Sequence, residues 1–340
     1  MRRVIISLSG VIFLSLALCF FSMNVANAGT TVLKFQSAYP KNGTQGSHYE
    51  FFAKKVNEYT NGEVEIKLFW PGQLVKTPEA WTAIKRGAIQ GYAGAIQYFS
   101  GEMPEASGQF YYSWDNPLEA AEIYYDYGYI DVLREATAKH GIYYIAPVSC
   151  NNRSLLLKFP VHKMNDMKGR KIRGGGGGIE ALTVQAWGAA PTSIAAAEQY
   201  MALQRGTIEG TIYPWYVLVD QNSFHEVVKY VILPAVSSPG IVDLIMSKTE
   251  YDKLSSKNKE AINRAGVETM WRSMLKGVLI DEEVITTAQK KGVKFITLSP
   301  QEQAKFVKAA KHAYDDYAKK TPLCAKQVEI LKKYANDKKK

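Results

Sequence analysis

Two stretches of the chain follow one plan: "AWTAIKRGAIQGYAG" at 80–94 and "QYMALQRGTIEGTIY" at 199–213. Arg86-Gly87 corresponds to Arg205-Gly206, and Gly91 to Gly210, at the same spacing. Each reads as a helix, a glycine able to take the left-handed conformation that ends a helix, and then a short strand. Many close copies would argue for a solenoid. Two distant copies argue for two lobes of like construction.

The surrounding pattern agrees with this. Residues 31–38, "TVLKFQSA", read as a strand. Phe51, Phe52, Val56 and Tyr59 then recur at helical spacing up to a stop at Asn61-Gly62. "EVEIKLFW" alternates as a strand and stops at Pro71-Gly72, and Thr77-Pro78 reads as N-cap and first residue of the next helix. Strand, helix, strand, helix is the order of an α/β sheet. Further on, Thr249 and Ser255 or Ser256 are helix starts, with a long periodic run ending at Lys291-Gly292. "VKFITLS" reads as a strand, and Ser299, Pro300 and Glu302 form a capping-box pattern.

The N-terminus sets the compartment. Arg2 and Arg3 precede an apolar run at 11–21 and then "ANAGT", the layout of a secretory signal peptide cleaved after Ala28. The run is too short and too early for a membrane span. Cys19 would suggest a lipoprotein, but the bulky Leu18 precedes it. After cleavage only Cys150 and Cys324 remain, too few for a disulfide scaffold, and their pairing stays open. The formal net charge is +10, much of it in the tail "KKYANDKKK". In an exported chain this reads as a solvated tail with a modest preference for anions, not as a nucleic-acid surface.

The run "GRKIRGGGGG" at 169–178 invites a nucleotide-loop reading. No Lys-Ser or Lys-Thr follows Gly178, so a Walker loop is excluded, and a homopolymer of glycine matches part of a dinucleotide fingerprint by default. The five histidines, His48, His140, His162, His225 and His312, form no H-x-x-x-H or H-E-x-x-H pair. No G-x-S-x-G elbow occurs, and Cys150 has no identifiable histidine partner. The expectation is therefore a protein that is not an enzyme and carries no cofactor and no metal.

The order of motifs resembles the TRAP-transporter solute-binding proteins. The segment "FFAKKVNEYTNGEVEIKLFWPGQL" is similar to their opening helix, strand and "GQL" turn. "MKGRKIRGGGG…WGAAPTSIAAAEQYMALQRGTIEG" is similar to their central part, where an arginine closes a "KIR" strand. The resemblance implies an α/β, two-lobe periplasmic-binding-protein-like fold with a long lobe-spanning helix. It implies lobe I at 29–150 plus 239–278, lobe II at 151–238 plus 279–340, and a signal peptide at 1–28. It implies a periplasmic receptor that closes over an organic carboxylate and delivers it to TRAP permease membrane subunits. A sensor of the same fold is the alternative, and an exported enzyme a more distant one.

By that resemblance Arg173 pairs with the ligand carboxylate, its guanidinium matching two oxygens at once. Arg153 assists. Tyr213 and Trp215 follow the Glu209-Gly210 step where relatives place a polar ligand contact. Tyr92 and Tyr98 add aromatics from the other lobe, and Tyr39, Gln45 and His48 lie in the turn after the first strand. The aromatics imply a bulky apolar or aromatic acid. The glycines 174–178 are either a plain turn or a place where backbone approaches the ligand closely.

Overall fold

The computed structural model describes residues 29–107, 110–174, 178–220 and 222–339. The expected signal peptide and Cys19 lie outside the described residues.

Two mixed sheets organise the chain, giving the two-lobe α/β fold. The first contains β1 (Thr31–Ser37), β2 (Val64–Phe69), β3 (Gly91–Gly94), β4 (Ile142–Ser149) and β10 (Ile241–Ser247), in the order β2-β1-β3-β10-β4. β1 runs parallel to β2 and β3, whereas β10 is antiparallel to β3 and β4. The second contains β5 (Arg153–Leu157), β6 (Lys171–Arg173), β7 (Ala190–Thr192), β8 (Gly210–Pro214), β9 (Tyr230–Leu233) and β11 (Lys294–Thr297), in the order β11-β9-β5-β8-β6-β7. β6 is parallel to β7 and β8, and β5 is antiparallel to β8 and β9.

The repeat is structural as well as sequential. α2 (Ala80–Lys85) leads to β3, and its counterpart after β7, Gln199–Gln204, leads to β8. Gly87 and Gly206 both have a φ of 74°, the left-handed conformation expected after a helix. Gly91 and Gly210 also match. A Cβ at Gly91 would strike the Phe35 ring, and one at Gly210 would meet a Leu157 methyl at 2.3 Å. The neighbouring strand packs a side chain across each glycine, and only a bare Cα leaves room for it.

Helix starts follow capping chemistry, with four local differences from the sequence reading. α1 (Thr44–Tyr59) begins earlier than the apolar pattern indicates, so Gln45 and His48 are helical rather than in a turn. Lys76, not Thr77, stands at the cap before α2, with Thr77 inside a short 3-10 turn. Ser247, not Thr249, caps the helix Lys248–Lys253, accepting from Glu250 N–H. Ser255 caps the 35-residue helix Ser256–Lys290 as expected. Ser299 caps Pro300–Ala318, accepting from Glu302 N–H, but the Glu302 carboxylate accepts from Met164 N–H instead of closing the box.

Two chain segments cross between the sheets, from β4 to β5 and from β9 to β10. They bond to each other: Cys150 N–H donates to the Gly240 carbonyl at 2.9 Å, and Arg153 N–H to the Ser237 carbonyl at 3.0 Å. The long helix Ser256–Lys290 is the third link. Its Ile262 and Ala265 join the core of the first sheet, and Val284 and Ala288 that of the second. Ser149 N–H donates to Ser273 Oγ at 2.9 Å, and Asn151 Nδ2 to the Gly277 carbonyl at 3.1 Å.

Asp281, on the same helix, binds this junction. It accepts from Asn151 Nδ2 at 3.1 Å and from Asn152 N–H at 2.8 Å. Burial pushes its carboxyl up to about 7 from 3.8, against the pull of those two bonds. The folded chain therefore holds a proton that the unfolded chain releases. That contribution is complete below about pH 3.8 and is lost as pH rises through about 7. Asp281→Asn should abolish this slope. Urea unfolding should find the stability of wild type relative to the variant falling by roughly 1–3 kcal/mol between pH 4 and pH 8. A difference that does not change with pH would contradict the assignment.

Candidate functional site

The carboxyl ends of several strands from both sheets meet in the cleft between the lobes, the usual place for ligands in α/β sheets. Tyr39 follows β1, and Gln97 and Tyr98 follow β3. From the second sheet come Arg153 at the start of β5, Arg173 at the end of β6 and Tyr213 near the end of β8. They enclose an inner cavity of about 30 Å³, which Cys150 and Glu180 also line. An outer cavity of about 300 Å³ adjoins it and is bounded by Gln45, Ala196, Tyr216 and Asn222. Tyr39 and Tyr213 line both cavities and so stand between them.

Arg173 is 2% exposed. Its Nε donates to the Ile194 carbonyl at 3.1 Å, and its Nη2 to the Tyr98 hydroxyl at 2.9 Å. The Tyr213 ring lies 5.4 Å from the guanidinium carbon, within cation–π range. Nη1 makes no hydrogen bond to a described residue. Burial opposes the positive charge, but Tyr98, Tyr213 and the Glu180 carboxylate outweigh it, and the pKa is raised.

Arg153 is also buried, and its Nη2 donates to Glu180 Oε1 at 2.8 Å. Burial disfavours its charge, yet the Glu180 carboxylate more than compensates and raises its pKa. Gly240 makes this path possible, since a Cβ there would lie 2.2 Å from Arg153 Cδ. Cys150 is a free thiol pushed by burial up to about 12, so it is neutral and unreactive at ordinary pH. Cys324 is also free, and both cysteines are buried.

The other sequence candidates are spread out. Tyr92 is fully buried on β3 and packs edge-on to Phe99. Gln45 donates to the Ser149 carbonyl at 2.9 Å. His48 is fully buried beneath the long helix, where Nδ1 accepts from Arg272 Nη1 at 2.7 Å. Burial, with Arg272 and Lys276, lowers its pKa to about 3, so it stays neutral. His48 lines neither cleft cavity. Trp215 lies just beyond β8, donates from Nε1 to Ser154 Oγ at 2.9 Å, and borders a different hollow against the long helix.

Gln97 and Glu180 were not singled out from sequence. Glu180 stands 27 residues from its partner Arg153, and no local motif links the two. Two of the five glycines have a local explanation. Gly178 has a φ of 60°, and a Cβ there would fall 2.0 Å from Ser107 Oγ of the facing lobe. At Gly174 a Cβ would meet Glu180 O and a Val184 methyl at 3.3 Å. Among the described residues, no group of three or more His, Cys, Asp or Glu side chains is placed to hold a metal ion.

The family model of bacterial extracellular solute-binding proteins, family 7, matches residues 35–321. The C4-dicarboxylate-binding periplasmic protein of Rhodobacter capsulatus is 26% identical over 79% of this chain and 79% of its own length. A TRAP periplasmic solute-binding protein from Rhodobacter sphaeroides, solved as an apo open structure, is 26% identical. It aligns with a TM-score of 0.71 over 90% of this chain and 98% of that one. Another, from Rhodoferax ferrireducens with bound malonate, is 23% identical and aligns with a TM-score of 0.82 over 90% and 99%.

Proposed function

The chain belongs to the bacterial extracellular solute-binding proteins of family 7, the solute-binding proteins of TRAP transporters, and from this we propose that it is a periplasmic receptor whose interlobe cavity holds an organic carboxylate on Arg173. The observation that carries the reading is the state of that guanidinium. It is buried at the end of β6 with no acid of the described chain hydrogen-bonded to it. A buried cation is costly unless a counter-charge meets it. A ligand carboxylate would supply that charge, and the planar fork suits its two oxygens.

The lobes already meet around the cavity. Tyr98 and Arg173 bond across it, and Ser107 touches Gly178. Opening would separate these contacts and admit a solute, a hinge motion of a familiar kind. The tyrosines Tyr39, Tyr98 and Tyr213 favour a ligand with a flat or apolar body, since they offer broad apolar faces with polar tips. Delivery to TRAP permease subunits completes the role.

A thermal-shift screen of organic acids and their primary amides against ligand-stripped protein tests the reading. A true ligand at a hundredfold excess over its Kd should stabilise the protein by about 2.7 kcal/mol. Acids should shift the transition and their amides should not. Shifts by neutral compounds alone would refute it.

A further inference from the structure

Resting on the carboxylate reading, we propose that Glu180 restricts this receptor to monoanionic acids that carry a hydrogen-bond donor, N–H or O–H, in addition to their carboxylate, and turns dicarboxylates away. Two guanidiniums in one cavity would suit a dianion. Glu180 changes that arithmetic, because its Oε1 takes the Arg153 charge at 2.8 Å. Only the Arg173 charge is left for the ligand. A second ligand carboxylate beside Arg153 would face a like charge in a site that is shielded from water. There charge repulsion is far stronger than in solution.

The other Glu180 oxygen gives the positive half of the inference. Glu180 is 1% exposed and lines the inner cavity, and its Oε2 has no hydrogen-bond partner. An ionised carboxylate can only accept, so a donor on the ligand would satisfy it. The Tyr111 hydroxyl lies close enough to Glu180 for that carboxylate to help raise its pKa, but neither Tyr111 Oη nor Glu180 Oε2 has a partner within hydrogen-bonding geometry. On the opposite wall Gln97 Oε1 is also buried, lines the cavity and lacks a partner. Buried acceptors without donors are rare and costly in folded proteins. Two of them in one cavity describe a ligand with donors of its own. A site built this way selects by leaving its polar groups unpaired when the wrong ligand enters.

The rival possibility is that Glu180 is a placeholder that swings off Arg153 when a dianion arrives. Calorimetry of ligand-stripped wild type and Glu180→Gln separates the two. The probes are lactate, pyroglutamate, their O-methyl and N-methyl derivatives, malonate and succinate. For wild type, the best donor-bearing monoacid should bind at least tenfold tighter than its methylated derivative and than either dicarboxylate. Glu180→Gln should shrink the margin over the dicarboxylates by tenfold or more. Should the variant fail to fold, the wild-type series alone decides. Malonate or succinate binding wild type as tightly as the best monoacid would overturn the inference, as would a margin that moves less than threefold in the variant. Either result with Arg173→Ala still abolishing binding leaves the carboxylate reading intact. Wild type that binds none of these acids overturns both.

Discussion

Arg173→Ala should weaken the best acid ligand by roughly 30-fold to several thousandfold, the equivalent of about 2–5 kcal/mol for removing one partner of a buried charge pair. The guanidinium sits in a closed cavity, so a ligand carboxylate would exchange water for it alone. Arg173→Lys should restore only part of the loss. Lysine is a point charge, and it cannot keep the bonds to Ile194 and Tyr98 while also facing a carboxylate with a fork. Calorimetry with the acid and its amide reads this out. An Arg173→Ala variant that binds within threefold of wild type would place the carboxylate elsewhere.

The second large effect concerns stability. Arg153→Ala leaves Glu180 buried and uncompensated, and breaking a buried pair from one side costs about 3–5 kcal/mol. In a chain of this size that lowers Tm by roughly 5–8 °C. The double replacement Arg153→Met with Glu180→Met should recover most of the loss, because a well-packed apolar pair avoids the desolvation penalty. Thermal unfolding of the two variants checks this. If Arg153→Ala unfolds within about 2 °C of wild type, the pair contributes little and Glu180 finds another partner.

Much of this architecture is legible in the sequence because it rests on local rules. The paired glycines Gly87 and Gly206 end helices through their own left-handed φ, and the motif carries its meaning with it. Arg173 is singled out by the resemblance of its "KIR" segment to that of the family, and the structure sets it at the end of a short strand. Glu180 is not. Its place depends on the left-handed Gly178 and on a helix that turns its first residues toward β5, and neither leaves a pattern in the string. Gln45 and His48 show the reverse problem. Their turn-like surroundings suit a loop, but the helix starts at Thr44 and carries His48 under Arg272. Trp215 follows β8 just as Tyr213 precedes its end, yet only Tyr213 lines the cavity. Alternation would put both residues on one face, but the strand gives way to a 3-10 turn at Trp215, and nothing local in the string marks that change.

The most direct measurement is a crystal structure of the ligand-stripped protein grown with its tightest acid. The expected result is a carboxylate in the inner cavity, its oxygens about 2.7–2.9 Å from the Arg173 guanidinium nitrogens. A carboxylate bound outside the cavity, or bound inside it without touching Arg173, would contradict the central claim.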